Sequence, residues 1–162
     1  MMGVGKSTIG KILAKKLNYN FIDVDKIIEE KEGSSINFIF KKKGERHFRK
    51  IESDVTLSEL KKSKSVISLG GGAFLNNTIR INAKELSISF WLDVPLNELI
   101  RRLEKNKQRP LLIKKNTNEI IKKIYFDREK FYSEADHRIK CSNLRSEEIA
   151  IKILDLYEKS GN

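Results

Sequence analysis

Apolar positions along this chain fall into two alternating kinds of run. Short, nearly unbroken ones cover 19–23 (Tyr19-Asn20-Phe21-Ile22-Asp23), 66–69 (Val66-Ile67-Ser68-Leu69) and 88–92 (Ile88-Ser89-Phe90-Trp91-Leu92), with a brief one at 138–141. Their length and their β-branched and aromatic content predict strands, and the unbroken apolar run at 66–69 predicts one buried on both faces, as in a parallel sheet. Between them lie segments with helical spacing at 9–17, 26–30, 36–40, 45–60, 95–103, 118–132 and 147–157. Gly33-Ser34-Ser35 stops one helix and caps the next, Gly44 interrupts that one, and Ser146 is placed to cap the last. Strand alternating with helix predicts an α/β fold: a three-layer, doubly wound parallel sheet. No repeat, low-complexity linker or boundary divides the 162 residues, so one domain over 1–162 is expected.

The first eight residues, Met1-Met2-Gly3-Val4-Gly5-Lys6-Ser7-Thr8, form a glycine turn running straight into a helical repeat. Inward-pointing amides of Gly3, Val4, Gly5, Lys6, Ser7 and Thr8, with the positive end of the helix dipole behind them, suit polyphosphate oxygens. Lys6 adds a mobile charge for the outer phosphates, and the Ser7 hydroxyl a ligand for Mg²⁺. The full pattern G-x-x-x-x-G-K-[ST] asks for a glycine five positions before Gly5, and a strand normally feeds the loop; neither is in this sequence. The expectation is therefore a doubly wound sheet without its first, central strand. It would be less stable and bind ATP more weakly than a chain about ten residues longer. A plain flexible turn is the competing reading, and Gly-Lys-Ser-Thr directly before a helix disfavours it.

Further candidates cluster at strand ends. Asp23 and Asp25 close the run 19–23, and the carboxyl ends of parallel strands border the crevice where ligands collect. Capping the following helix is their structural alternative. Arg49 and Glu52 stand three apart on one helix face, a spacing that a surface ion pair explains as well. Gly70, Gly71 and Gly72 follow the strand at 66–69; lacking side chains, they let a ligand approach the backbone, although a flexible loop would look the same. The polar segment 103–117, holding Arg109-Pro110, has the composition of a mobile lid.

Composition narrows the classes. Lys and Arg total 33 against 22 Asp and Glu, a net charge of +11. The lysines are scattered over helices and loops with no aromatic platform among them, so a nucleic-acid reader is not expected, whereas the field would attract anionic substrates. No run is long enough to span a bilayer. The lone Cys141, with no activating pattern around it, is expected as packing at a strand end, and its isolation fits a reducing cytoplasm.

The ordered series is more specific than any one motif. It runs Gly3-Val4-Gly5-Lys6-Ser7-Thr8; Phe21-Ile22-Asp23-Val24-Asp25; Gly33-x-Ser35-Ile36-x-x-Ile39-Phe40; Gly44-Glu45-x-x-Phe48-Arg49-x-x-Glu52; Ser68-Leu69-Gly70-Gly71-Gly72-Ala73; Arg109-Pro110-Leu111-Leu112; and Arg128-x-x-x-Tyr132. It closely resembles the shikimate kinases, small members of the nucleoside-monophosphate-kinase-like P-loop group, over nearly the whole chain and most loosely after Tyr132. The resemblance implies transfer of the ATP γ-phosphoryl group to the 3-hydroxyl of shikimate, with Mg²⁺, in chorismate and aromatic amino-acid synthesis. It implies Lys6, Asp25 and Arg109 as catalytic residues. Substrate would be bound by Asp25, Arg49, Glu52, Gly70, Gly71, Gly72 and Arg128, with Phe40 and Phe48 lining the ring's apolar side. The nucleotide would meet residues 3–8, Arg102, Arg109 and Arg145, and the metal would meet Ser7 and, through water, Asp23. A monomer is implied, with a substrate-binding helical segment over 24–60. Two rivals remain: a gluconate-kinase-like enzyme, which lacks the Phe-Arg-x-x-Glu and Gly-Gly-Gly pairing, and a non-catalytic P-loop relative, against which the retained charged residues argue.

Overall fold

The structure, a computed structural model, describes residues 1–104 and 117–161. Its elements in order are α1 (Lys6–Leu17), β1 (Asn20–Asp23), α2 (Val24–Glu32), α3 (Ile36–Leu60), β2 (Ser65–Ser68), a 3₁₀ turn (Ala73–Leu75), α4 (Asn77–Leu86), β3 (Phe90–Asp93), α5 (Leu96–Glu104), α6 (Thr117–Tyr132), β4 (His137–Lys140) and α7 (Ser146–Lys159). Strand and helix alternate as the hydrophobic pattern predicts.

The strands are all parallel, but among the described residues they form two pairs and not one continuous sheet. β1 lies beside β2, with Asn20 opposite Ser65 and Asp23 opposite Ser68. β3 lies beside β4, with Phe90 opposite His137 and Asp93 opposite Lys140. β2 and β3 both line an apolar cavity of about 600 Å³, along with Val4, Leu13 and Tyr132. The parallel strands of an α/β fold stand as expected, and one expectation is corrected, a β2 buried on both faces. Only Ser68 of β2 is buried, the other residues being half-buried, because the strand borders that cavity.

Local chemistry sets the helix ends. Ser35 Oγ accepts from the Phe38 amide at 3.3 Å to open α3, and Asn76 Oδ1 accepts from Thr78 and Ile79 at 2.9 and 3.3 Å to open α4. Gly44, at φ 81° and ψ 168°, breaks α3 into two helical stretches, a backbone state that a side chain would strain. At α7 the expected cap is displaced by one residue. Arg145 holds the cap position and its amide donates to Glu148 Oε2 at 2.8 Å, so Ser146 is the first helical residue.

Two apolar clusters hold these elements. The larger joins Val4, Ile9, Leu13, Trp91, Leu99 and Ile153, packing α1 and α7 against the strands. The smaller, around Val24, Ile28, Ile39, Phe48 and Val55, locks α2 onto α3. Trp91 is thus core, as its place in an apolar run predicts, and Cys141 is fully buried.

Candidate active site

The loop before α1 has the geometry its glycines predict. Gly5 adopts φ 88°, ψ 18°, and no side chain caps the first turn of α1, which keeps that helix end suited to an anion. Lys6 Nζ donates to the Met1 carbonyl at 2.6 Å, so its side chain folds back over the loop. Ser7 Oγ donates to Asp23 Oδ2 at 2.7 Å. A hydroxyl and a carboxylate side by side fit Mg²⁺, which takes oxygen ligands and keeps several waters and phosphate oxygens for itself. Consistent with so sparse a donor set, no group of three or more His, Cys, Asp or Glu that could cage a metal occurs among the described residues.

The second half of the site is built on the glycine triplet after β2. A side chain at Gly70 would run into Glu52 Oε1 at 2.5 Å and Asp25 Oδ1 at 2.7 Å. One at Gly72 would overlap the Arg49 guanidinium, and one at Gly71 would press on the Met2 amide at 3.3 Å and Arg128 Nη1 at 3.4 Å. Glycine is therefore required by close approach: the bare loop is the floor against which Asp25 from α2, Arg49 and Glu52 from α3, and Arg128 from α6 converge. The Met2 contact joins this floor to the phosphate loop.

Arg49 and Glu52 are more than a surface pair. Arg49 Nη1 donates to Glu52 Oε2 at 2.6 Å, and Arg49 Nε and Nη2 each donate to Glu45 Oε1 at 3.2 Å. The Glu52 side chain is 3% exposed, that of Arg49 36%. Burial pushes the Glu52 carboxyl up from its ordinary range, against the opposing pull of Arg49. For Arg49, burial works against the charge, yet the carboxylates of Glu52 and Glu45 outweigh it and raise its pKa. The guanidinium also lies over Phe48 and Phe40, 5.2 and 6.0 Å from the ring centres, which are 4.6 Å apart.

Two contributions carry little or no signal in the sequence. Tyr132, one helical turn beyond Arg128, donates through Oη to the Gly71 carbonyl at 2.6 Å. The sequence shows it only as the end of the block Arg128-x-x-x-Tyr132, whose four-residue spacing puts the two on one helix face. Arg80 on α4 donates to the carbonyls of Phe74 and Leu75 at 3.0 and 2.9 Å and pairs with Glu134 at 3.1 Å, fastening the turn after the triplet to the end of α6. Nothing in the pattern around Arg80 marks it.

The expected adenine contacts are less gathered. Arg102 pairs with Glu98 at 2.5 Å along α5. Arg145, 83% exposed, pairs with Glu148 at 3.3 Å at the start of α7. Arg109 and the body of the 103–117 segment lie outside the described residues. Cys141 is sealed in: burial pushes its thiol up to about 11, and Sγ donates to the Ile139 carbonyl. No helix among the described residues is long and apolar enough to cross a membrane.

Known proteins resemble this chain in sequence and in architecture. The family model described as shikimate kinase matches residues 2–158. A shikimate kinase of Sulfurihydrogenibium sp. is 42% identical over 154 residues, 94% of this chain and 91% of the relative. One from Thermodesulfovibrio yellowstonii is 38% identical over 161 residues, covering 99% and 93%. Among solved structures, a shikimate kinase from Acinetobacter baumannii in complex with shikimate superposes with a TM-score of 0.93 at 32% identity, covering 99% of this chain and 90% of that one. The Aquifex aeolicus shikimate kinase superposes at 0.87 with 37% identity, covering 99% and 94%. Motifs, fold and matched length agree, and the chain belongs to the shikimate kinase family.

Proposed function

We propose that the pocket floored by Gly70, Gly71 and Gly72 binds shikimate and presents its 3-hydroxyl to the γ-phosphoryl group of ATP held at residues 3–8. The products are shikimate 3-phosphate and ADP, a step of chorismate and aromatic amino-acid synthesis. One observation carries this reading. Two carboxylates and two guanidinium groups from three separate helices meet around a glycine loop that touches the lead-in to the phosphate loop. A ring bearing one carboxylate and several hydroxyls needs that combination.

Arg49 and Arg128 take the substrate carboxylate through planar forks. Asp25 accepts from the reacting hydroxyl, orients it and receives its proton. Glu52 positions Arg49. Lys6 turns from the Met1 carbonyl to the outer phosphates, and Ser7 with Asp23, the latter through water, holds Mg²⁺. The ion supplies charge neutralisation at the phosphates when bound. Arg109 is assigned to the transferring group, and Arg102 and Arg145 to the nucleotide's far end. Phosphoryl transfer needs little covalent assistance, so positioning and charge account for most of the rate. We take residues 1–162 as a single kinase domain, with 24–60 as its substrate-binding helical segment and 103–117 as its lid. We place it as a monomer in the cytoplasm, bound to neither membrane nor nucleic acid.

The test is ADP formation by the purified chain with shikimate or gluconate, with Mg²⁺ present and then chelated. Shikimate-dependent turnover that stops on chelation is expected. Turnover with gluconate alone, or none with either, would overturn the reading.

A further inference from the structure

The three carbonyls of the glycine triplet are satisfied in two different ways. Gly70 O accepts from the Ala73 amide at 3.2 Å and Gly72 O from the Leu75 amide at 3.1 Å, both within the turn that follows. Gly71 O instead accepts from two side chains of α6, Arg128 Nη1 at 2.5 Å and Tyr132 Oη at 2.6 Å, which fills both of its lone pairs. The Tyr132 ring is held in place: the residue is 8% exposed, and its ring centre lies 6.1 Å from that of Trp91.

Resting on the substrate assignment above, we propose that Tyr132 is a positioning residue for shikimate: it keeps the Gly71 carbonyl hydrogen-bonded when Arg128 transfers to the substrate carboxylate. A charge-assisted guanidinium–carboxylate bond is about twice as strong as one to a neutral carbonyl, so an incoming carboxylate draws Arg128 away from Gly71. Without Tyr132 that exchange would leave a part-buried acceptor without a donor, and binding would bear the cost. With Tyr132 the carbonyl keeps one donor, and the peptide joining Gly71 to Gly72 keeps its orientation beneath the substrate. Burial raises the phenol pKa above its ordinary value, so the group stays a donor at physiological pH. The hydroxyl is bonded to the glycine triplet and lies outside residues 3–8, so its effect is expected on the shikimate side.

The experiment compares Tyr132→Phe with the unaltered chain in steady-state kinetics for both substrates. Melting temperature and the fluorescence of the sole tryptophan, Trp91, report the fold. A rise in KM for shikimate of about tenfold is expected, with KM for ATP and kcat changed less than twofold. An unchanged KM for shikimate, or both KM values rising together with a fall in melting temperature, would overturn the proposal. A second readout needs no substitution: the ¹³C′ resonance of Gly71 in the unaltered chain. It should stay at a hydrogen-bonded position when shikimate is added, and movement to a free-carbonyl position would overturn the proposal. Failure of the substrate assignment is distinguishable, because the unaltered chain would then show no shikimate-dependent ADP formation at all.

Discussion

Arg49 and Glu52 are joined at 2.6 Å across a boundary between pocket and interior, the carboxylate 3% exposed and the guanidinium 36%. The buried partner fixes one edge of the fork, and Glu45 and the Phe48 ring hold the rest. Lysine could keep the charge at position 49 but not the planar, multiply anchored fork. Arg49→Lys should raise KM for shikimate at least about tenfold and leave KM for ATP unchanged. Steady-state kinetics with each substrate varied in turn checks this, and an equal rise in both constants would contradict it.

Glu52 gives a pH signature. Burial raises its folded pKa above the unfolded value despite Arg49, so between the two values the folded state binds more protons than the unfolded one. Stability contributed by this group therefore falls as pH rises through the folded pKa. It is recovered as pH drops toward the ordinary glutamate range. Glu52→Gln removes the titration, so the stability of the unaltered chain relative to that variant should increase as pH is lowered from neutral into the ordinary glutamate range. Paired urea melts at several pH values, in which other groups cancel, measure the difference.

The glycine floor predicts position-specific damage. At Gly72 a methyl group would overlap the Arg49 guanidinium, whereas at Gly70 it would meet two carboxylates. Gly72→Ala should weaken shikimate through a displaced Arg49, and Gly70→Ala should also lower kcat, because Asp25 is moved. Nucleotide affinity, measured by titration calorimetry, should be nearly unaffected in both.

How much of this was legible beforehand follows from what a pattern can encode. Element order was readable, because hydrophobic spacing records which faces are buried. What stands beside a strand is not recorded: the run 66–69 reads as buried on both faces, yet most of β2 is half-buried at the edge of a cavity. The spacing of Arg49 and Glu52 places them on one face without saying which way it turns, and a surface ion pair fits that spacing as well. Asp25 was legible near its strand end but stands in the first turn of α2, not on the strand. Arg80 was illegible because it grips backbone carbonyls, and carbonyls leave no residue-type signature.

Cys141 offers a check on the interior. With its thiol buried and pushed up to about 11, almost no thiolate exists at neutral pH. The native chain should resist iodoacetamide at pH 7.5 and become alkylated only on unfolding in urea, as followed by mass spectrometry. Rapid native labelling would mean that the β3–β4 end of the core opens.

The most demanding prediction concerns Lys6. Its ammonium lies 2.6 Å from the Met1 carbonyl, inside the loop and partly buried, so the side chain is already gathered over the place where phosphates would sit. Moving from a neutral carbonyl to phosphate oxygens requires only a swing about the lysine stem. The gain is greatest where charge accumulates, which is in the transition state. Lys6→Ala should therefore lower kcat by roughly 10³-fold, as loss of a phosphate-clamping cation does in related chemistry. KM for shikimate should hardly move, since Lys6 is assigned to the phosphates in the proposed arrangement. Lys6→Arg should recover little, because a planar fork on a longer stem does not replace a compact charge within a tight loop. Rapid-quench measurement of the phosphoryl-transfer step separates this loss from weaker ATP binding. A variant that transfers phosphate at the unaltered rate once saturated with ATP would leave Lys6 a binding residue only.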